Sequence, residues 1–399
     1  MLTTSGSAES RPLARTAVWT FLAFLVLYVG VTRGHFIVTD EIAVYQATRS
    51  LWEEGNLSTG WMNNTFPGRN GRYYSVYSPG LSVASLPLYG LGKELGRGLK
   101  WAGRPDWIAT FAGPSIGWEP SRWGGDIEIF FANLLNCFTT ALLCAVFFAF
   151  SLRLGVSPRW SLVSTALLGL TSYVAPFSTG FLQHSSEALF LLWAFYFLFS
   201  NARRPDWRLC AWAGAMVALM LLFRFPSIVA LPGLGLYLLC SVWQHRPADR
   251  TPQSYFREAL EQVVAFVVPV VVGIALHVTV NYLKFGTLSL VGEYGELRFT
   301  TPLLKGLHGL LLSSGDSVFL FTPLLLLVPW TVRHLSRRYR AEALLLAFLA
   351  SSYLVFYGGP QPRPLPGDPS ARRRARPGRQ ARRGATRVAE SAQEGRRTR

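Results

Sequence analysis

One long apolar stretch decides the fold of this 399-residue chain: residues 128–151 read EIFFANLLNCFTTALLCAVFFAFS. A helix that crosses a membrane needs about 20 mainly apolar residues, because it rises 1.5 Å per residue across roughly 30 Å of hydrocarbon. This stretch meets that requirement with one charged residue, Glu128, at its start. It therefore predicts a transmembrane helix.

Similar apolar stretches recur along the chain and predict an all-α integral membrane protein. Half of the residues are apolar and only 15% are charged, so no separate soluble domain of any size is expected. The apolar stretch nearest the N-terminus, residues 16–32, is too long for a removable signal peptide and lacks a small-residue cleavage site. It is expected to be a retained first span. We predict about nine spans, at residues 16–32, 128–151, 160–176, 185–200, 209–223, 226–243, 260–280, 317–332 and 341–357.

Basic residues collect in alternate connections between the predicted spans, which by the positive-inside rule face the cytoplasm. These residues are Arg11 and Arg15, Arg153 and Arg159, Arg203, Arg204 and Arg208, Arg246, Arg250 and Arg257, and Arg333, Arg337, Arg338 and Arg340. We therefore predict a multi-pass protein of the cell (plasma) membrane. Its cytoplasmic N-terminus would cover residues 1–15 and its membrane domain residues 16–357, with long outer loops at 33–127 and 281–316.

The end of the chain breaks this charge pattern. Residues 358–399 hold 12 Arg against three acidic residues, or +9 of the total formal charge of +17, yet nine spans would place them outside. One possible coding of residues 361–370, shifted by one base, reads SPGRYLVTLP. Two interpretations stay open: an out-of-frame tail on a chain that lacks C-terminal spans and full activity, or a native disordered tail that binds anionic lipid or nucleic acid.

The predicted outer loop 33–127 carries acidic residues directly after the first span. Thr39 could cap a short helix with Asp40 and Glu41 in its first turn, where the helix dipole favours carboxylates. Ordinary capping is one interpretation. The other is a catalytic loop, since a 95-residue loop with amphipathic pieces on the membrane is expected to build a site.

Six short motifs follow one another along the chain. They are Thr39-Asp40-Glu41, YYSVYSPGL at 73–81, FSTGFLQH at 177–184, Arg224-Phe225-Pro226, GEYGE at 292–296 and YGGP at 357–360. Their order resembles the GT-C class of membrane glycosyltransferases, in particular the protein O-mannosyltransferase and aminoarabinose-transferase type. The resemblance covers about residues 15–360.

The resemblance implies transfer of a hexose or pentose from a polyprenyl-phosphate carrier to a lipid, glycan or protein acceptor at the outer face. The attacking hydroxyl needs a base and the leaving phosphate needs positive charge. Asp40 is the implied general base. Glu41 points about 100° away on a helix and would hold a metal or orient a cation. No metal site is assigned, and a divalent cation (Mg²⁺ or Mn²⁺) bound by both carboxylates is left open.

Three cationic residues are candidates for the donor phosphate. Arg72 and Arg224 could bind phosphate with two hydrogen bonds, and Lys93 could supply a point charge. For Arg72 and Lys93 the alternative is a solvated or interfacial cation. For Arg224 it is a turn residue before Pro226.

Tyr77, His184 and Glu293 complete the predicted substrate-binding residues. His184 and Glu187 lie at the mouth of the fourth predicted span, where ionisable groups serve a site or a packing contact. Glu293 belongs to a charged loop that could close over the acceptor or form ordinary salt bridges.

Two other functions stay open. A transporter or flippase for a polar lipid or polysaccharide would place ionisable residues in mid-span and pair inverted halves, whereas the charges here lie at span ends. A non-catalytic envelope-assembly protein is the third interpretation. A nucleotide-fuelled enzyme is disfavoured because the chain has no P-loop, GxGxxG or HExxH motif, and no nucleic-acid partner is predicted for the membrane domain.

Overall fold

A computed structural model describes residues 6–32, 34–62, 64–104, 127–244, 252–290, 302–314 and 317–359. Two 3-10 helices, Phe225–Ala230 and Pro323–Leu327, accompany the α-helices. The α-helices of the described residues are α1 (Gly6–Val31), α2 (Thr39–Glu54), α3 (Gly80–Ala84), α4 (Leu86–Trp101), α5 (Ile127–Arg153), α6 (Pro158–Thr171), α7 (Val174–Ser178), α8 (His184–Asn201), α9 (Trp207–Phe223), α10 (Leu231–Gln244), α11 (Pro252–Phe285), α12 (Leu303–Leu312), α13 (Val318–Phe321), α14 (Val328–Arg338) and α15 (Arg340–Gly358).

Among the described residues, five helical segments are long and apolar enough to cross a membrane. They are Leu13–Val31, Ile127–Arg153, Phe225–Gln244, Gln253–Phe285 and Arg340–Gly358. The prediction of an all-α, multi-pass membrane protein is thereby confirmed. Three more predicted spans coincide with the shorter helices α6, α8 and α9. The total of nine stays a prediction.

The predicted span 317–332 is not one continuous helix. It is divided among α13, a 3-10 helix and the first part of α14. Pro323 and Pro329 each lie in the first two positions of a helical piece. Proline has no N–H to donate and its ring clashes with the preceding turn, so it begins a helix and does not continue one.

Close packing of α9 against its neighbours forms the centre of the bundle. A Cβ on Gly214 of α9 would clash with the carbonyl oxygen of Phe266 on α11, and a Cβ on Gly273 of α11 would lie 2.7 Å from the Cβ of Ala218. Small residues at these contacts let two helix backbones approach closely, as in many membrane bundles.

Contacts between helix termini define two ends of the bundle. At the first, which we call the site end, Phe181 N donates to Glu41 Oε1 (2.9 Å) and Phe225 N donates to Ser78 Oγ (3.2 Å). At the opposite end, which we call the basic end, Tyr339 OH donates to the carbonyl of Leu154 (3.0 Å). The site end comprises residues 36–41, 75–81, 177–187, 224–227, 284–290 and 353–358, and the basic end residues 151–160, 200–208, 242–244 and 336–342.

A small antiparallel sheet in the first loop was not predicted from the sequence. Its strands are β1 (Ser58–Thr59), β2 (Thr65–Pro67) and β3 (Tyr73–Ser75), in the order β1-β3-β2. Ser58 pairs with Tyr74, which in turn pairs with Phe66. The strands are too short to show a period-two pattern, so the sequence gives little sign of them.

Three predictions fall outside the described residues. They concern Glu293 with its charged loop, the part of the first outer loop at 105–126, and the arginine-rich tail from residue 360 onward. They stay predictions.

Candidate functional site

Asp40 lies at the site end, in the first turn of α2, and is half-buried. Asn64 Nδ2 donates to Asp40 Oδ1 (2.8 Å) and to the hydroxyl oxygen of Tyr77 (3.1 Å). Asn64 has a positive φ of 64°, a left-handed conformation that asparagine tolerates better than most residues. One amide thus holds the predicted base and a predicted substrate-binding tyrosine together.

Glu41 is buried and points its carboxylate at backbone amides. Its Oε2 accepts from Ile37 N (2.7 Å) and Val38 N (3.2 Å), and its Oε1 accepts from Phe181 N (2.9 Å). The expectation that Thr39 caps α2 is wrong: no side chain of the N-cap residue bonds to the helix, and the Glu41 carboxylate satisfies the free amides. Glu41 therefore joins α2 to the turn before α8, and its predicted role toward a metal or cation stays a prediction.

Arg224 is the centre of a polar cluster on three helices. Its Nε lies 3.1 Å from Glu187 Oε2, its Nη1 lies 2.6 Å from His184 Nε2, and its Nη2 donates to the hydroxyl oxygen of Tyr357 (2.8 Å). Glu187 Oε1 also accepts from the hydroxyls of Ser227 and Tyr353. We call these six residues the Arg224 cluster.

Local sequence spacing explains why the Arg224 cluster forms. Positions three or four apart lie on one face of a helix, which applies to His184 and Glu187 on α8 and to Tyr353 and Tyr357 on α15. Arg224 itself has extended backbone angles, φ −148° and ψ 97°, between α9 and the following 3-10 helix. The cluster thereby unites three motifs that are far apart in the sequence.

His184 is held as a neutral imidazole. A guanidinium can only donate hydrogen bonds, so Nε2 must accept from Arg224 and the ring proton must sit on Nδ1. Nδ1 is buried and has no hydrogen-bond partner among the described residues. The ring stacks on Phe177 with centroids 4.3 Å apart and planes 12° apart. His184 thus keeps one unused donor at the site end.

Arg72 and Lys93 are not brought to Asp40. Lys93 Nζ lies 2.6 Å from Glu53 Oε1, and Arg72 Nη1 lies 3.3 Å from Glu54 Oε2. These acids end α2, about 20 Å along the helix from Asp40 at 1.5 Å per residue. Both predicted phosphate ligands therefore have acidic partners elsewhere, and among the predicted cations only Arg224 lies in a cluster at the site end.

The pKa of Glu53 reflects its partners. Burial acts to raise this pKa, but hydrogen bonds from Lys93, Arg49 and Tyr89 outweigh burial and lower it to about 2. Such stabilisation of the charged form is typical of a carboxylate shared by two cations. The end of α2 is thus an ionic anchor for the first loop.

Sequence reasoning missed Lys284, which lies in the last turn of α11. Its buried Nζ donates to the carbonyls of Ser75 (3.1 Å) and Tyr77 (2.9 Å). A lone lysine at the end of a long apolar helix was the available signal, because such a residue must find polar partners at the end of the helix. Lys284 fixes the backbone of Tyr77 and so helps to place the Asp40 side of the site.

Within the described residues, no three His, Cys, Asp or Glu side chains come together as a metal site. The paired carboxylates at 40 and 41 diverge in their contacts: Asp40 bonds to a side-chain amide and Glu41 to backbone amides. A divalent cation therefore remains a proposal only.

The fold and the polar clusters define a multi-pass membrane protein with an ionisable site at one end of its helices. Residues 128–272 match the family model described as dolichyl-phosphate-mannose-protein mannosyltransferase. The match confirms the predicted GT-C class resemblance and indicates a glycosyltransferase that takes sugar from a lipid-linked donor. The matched segment contains His184, Glu187 and Arg224, whereas Asp40 and Tyr357 lie outside it. No curated protein matches the chain.

Proposed function

We propose that this protein transfers a sugar from a polyprenyl-phosphate donor to an acceptor hydroxyl, with Asp40 as the general base. The observation that carries the proposal is the convergence, at the site end, of the Asp40–Asn64–Tyr77 cluster and the Arg224 cluster. The two are linked by the contact of Glu41 with Phe181. A base and a fixed cation at the same end of the helices are what glycosyl transfer from a phosphate needs.

In the proposed reaction, Asp40 takes the proton of the acceptor hydroxyl as its oxygen attacks the anomeric carbon. The bond from that carbon to the phosphate oxygen breaks, and the lipid phosphate leaves with the bonding electrons. Arg224 stabilises the charge that develops on the phosphate, and the free Nδ1–H of His184 adds a donor. Tyr77 orients the sugar beside Asp40.

The other predicted ligands have narrower roles in this proposal. Arg72 and Lys93 would bind a phosphate only by leaving Glu54 and Glu53, so we assign them to the approach of the charged carrier to the protein. Glu293 would contact the acceptor from the loop after α11.

We also propose nine crossings, with the basic end in the cytoplasm and the site end at the outer face of the cell membrane. One of these crossings would be the segment formed by α13, the 3-10 helix Pro323–Leu327 and α14, and contacts near both of its ends support it. Phe321 packs on Tyr173 (ring centroids 5.5 Å apart), and the Arg338 guanidinium approaches the position of a Cβ on Gly155 to 3.8 Å. The orientation follows from the arginines in the basic connections.

The test is Asp40→Asn in the full chain, assayed in membranes with labelled polyprenyl-phosphate hexoses and pentoses. Removing a general base is expected to lower transfer by roughly 10²- to 10⁴-fold. Glu94→Gln is the matched control, since Glu94 forms an exposed pair with Arg97 on α4. Parallel assays with Mg²⁺, Mn²⁺ or a chelator test the divalent cation.

Unchanged transfer by the Asp40→Asn variant would remove Asp40 from the mechanism. Movement of the carrier across the membrane without transfer, by the unmutated chain, would favour the flippase alternative. Absence of both activities would favour an assembly protein.

A further inference from the structure

A cavity of about 600 Å³ opens at the basic end, between α5, α8 and α9. Three arginines line it, Arg153, Arg203 and Arg204, together with the aromatic rings of Tyr196 and Phe197. No carboxylate is among the described lining residues. Three guanidinium groups around one cavity make it a place for an anion with several acceptor oxygens.

Arg153 and Arg203 of the cavity wall contact aromatic rings, and Arg203 Nη1 also donates to the carbonyl of Phe199 (3.1 Å). The Arg153 Cζ lies 5.1 Å from the ring centroid of Tyr196, and the Arg203 Cζ lies 3.3 Å from that of Phe199. The nearest acid to Arg203 is Glu342, at 3.9 Å. Arg204 is exposed and forms no ion pair among the described residues. Arg204 also lines a neighbouring cavity together with Asp206, Glu258 and Glu261. The wall of the cavity of about 600 Å³ itself has three arginines and no described carboxylate.

Tryptophans place the cavity at the level of lipid headgroups. Trp207 is 52% exposed and Trp212 is 58% exposed, and Trp212 stacks with Phe197 of the cavity wall (centroids 6.4 Å apart, planes 27° apart). The exposed side chains of Trp160 and Trp243 lie at the same end. Tryptophan is enriched where a membrane protein meets the headgroups, because its ring is apolar and its N–H is polar.

We propose that this cavity binds the phosphate of an anionic phospholipid. The guanidinium groups of Arg153, Arg203 and Arg204 bind the phosphate oxygens, and the acyl chains extend along the apolar surface beside Phe197 and Trp212. Basic pockets between membrane helices bind anionic headgroups in this way. This site lies at the opposite end from the proposed transfer site and does not depend on it.

The test uses native mass spectrometry of the full chain, purified in neutral detergent and mixed with equal amounts of phosphatidylglycerol and phosphatidylcholine. We expect the protein to retain phosphatidylglycerol with roughly ten-fold preference, since each arginine near an anionic headgroup raises affinity several-fold. Arg204→Gln alters no ion pair among the residues that the structure describes, so it is expected to fold and to lower that preference several-fold. The triple variant Arg153→Gln, Arg203→Gln and Arg204→Gln is expected to abolish it.

The matched control is Arg159→Gln, Arg257→Gln and Arg337→Gln, which removes the same charge from residues outside the cavity. Its preference for phosphatidylglycerol is expected to stay unchanged. Equal retention of both lipids by the unmutated chain would overturn the proposal, as would an equal loss in the control. Displacement of the lipid by millimolar inorganic phosphate would show a site for free phosphate and would also overturn it.

Discussion

Both ends of the bundle contain an Arg–Glu pair, but the two pairs are built differently. At the site end, Arg224 and Glu187 are 3.1 Å apart with side chains 21% and 11% exposed. At the basic end, Arg203 and Glu342 are 3.9 Å apart; the arginine is 40% exposed, the glutamate is 11% exposed, and Tyr237 OH also donates to the glutamate. Four further polar side chains bond to the first pair. The first arginine is thus held by several polar side chains, whereas the second leaves more of its side chain exposed.

This difference has an energetic meaning. Removing one partner of a buried, hydrogen-bonded pair costs about 3–5 kcal/mol because the other charge stays buried and unpaired. An exposed pair contributes about 0–1 kcal/mol. The pair at the site end should therefore contribute more to stability than the pair at the basic end.

The largest expected effect comes from Arg224→Gln. It leaves Glu187 buried without its cation, so the free energy of unfolding should fall by about 3 kcal/mol, and sugar transfer should be lost. Glu187→Gln combined with Arg224→Gln removes both charges and is expected to restore much of the stability but none of the transfer. Denaturant unfolding in detergent and the transfer assay measure the two effects. If Arg224→Gln destabilises no more than Arg203→Gln, the comparison between the ends fails.

The next effect is expected at Asn64. Asn64→Gly keeps a residue that accepts the positive φ but removes the amide that bonds to Asp40 and Tyr77. Transfer should fall roughly ten-fold, equivalent to about 1.4 kcal/mol, with little change in stability. Asn56→Gly in the same loop serves as the control, and an equal loss there would indicate general loosening of the loop.

Glu53 tests whether the ionic anchor at the end of α2, away from the Arg224 cluster, also stabilises the protein. Because its pKa is lowered to about 2, its stabilisation is present above the ordinary pKa near 4.5 and is lost as pH falls toward 2. Allowing for solvent screening, Glu53→Gln should cost about 1 kcal/mol at pH 7. The difference from the unmutated chain should vanish near pH 2, and a difference that is independent of pH would contradict the assignment.

The smallest effect is expected at the basic end. Arg203→Gln breaks a long pair whose arginine is 40% exposed, while Tyr237 still donates to Glu342. It should lower the free energy of unfolding by about 1 kcal/mol, with transfer unchanged. Unfolding measured at low and high salt checks this, because an exposed pair is screened by ions. A loss of about 3 kcal/mol would show that both pairs are structural.

The sequence predicts the helices well because apolar stretches of the right length have few alternatives in a membrane. It also identified His184, Arg224 and YGGP at 357–360 as separate motifs. It could not show that they meet, since partner choice depends on how the helices pack. For the same reason the contacts of Lys284 and Asn64 could not be predicted from the sequence. Nor could the ion pair of Lys93 with Glu53, which places this predicted phosphate ligand away from Asp40.

The hydrogen bond between Arg224 and Tyr357 joins residues 133 positions apart. During synthesis, therefore, Arg224 is made well before Tyr357. At about 5–20 residues per second, α8 and α9 emerge from the ribosome roughly ten seconds before α15 supplies its two tyrosines. During that interval Arg224 has Glu187 and His184 but not Tyr357. The Arg224 cluster is therefore completed late, after α8 and α9 have already been made.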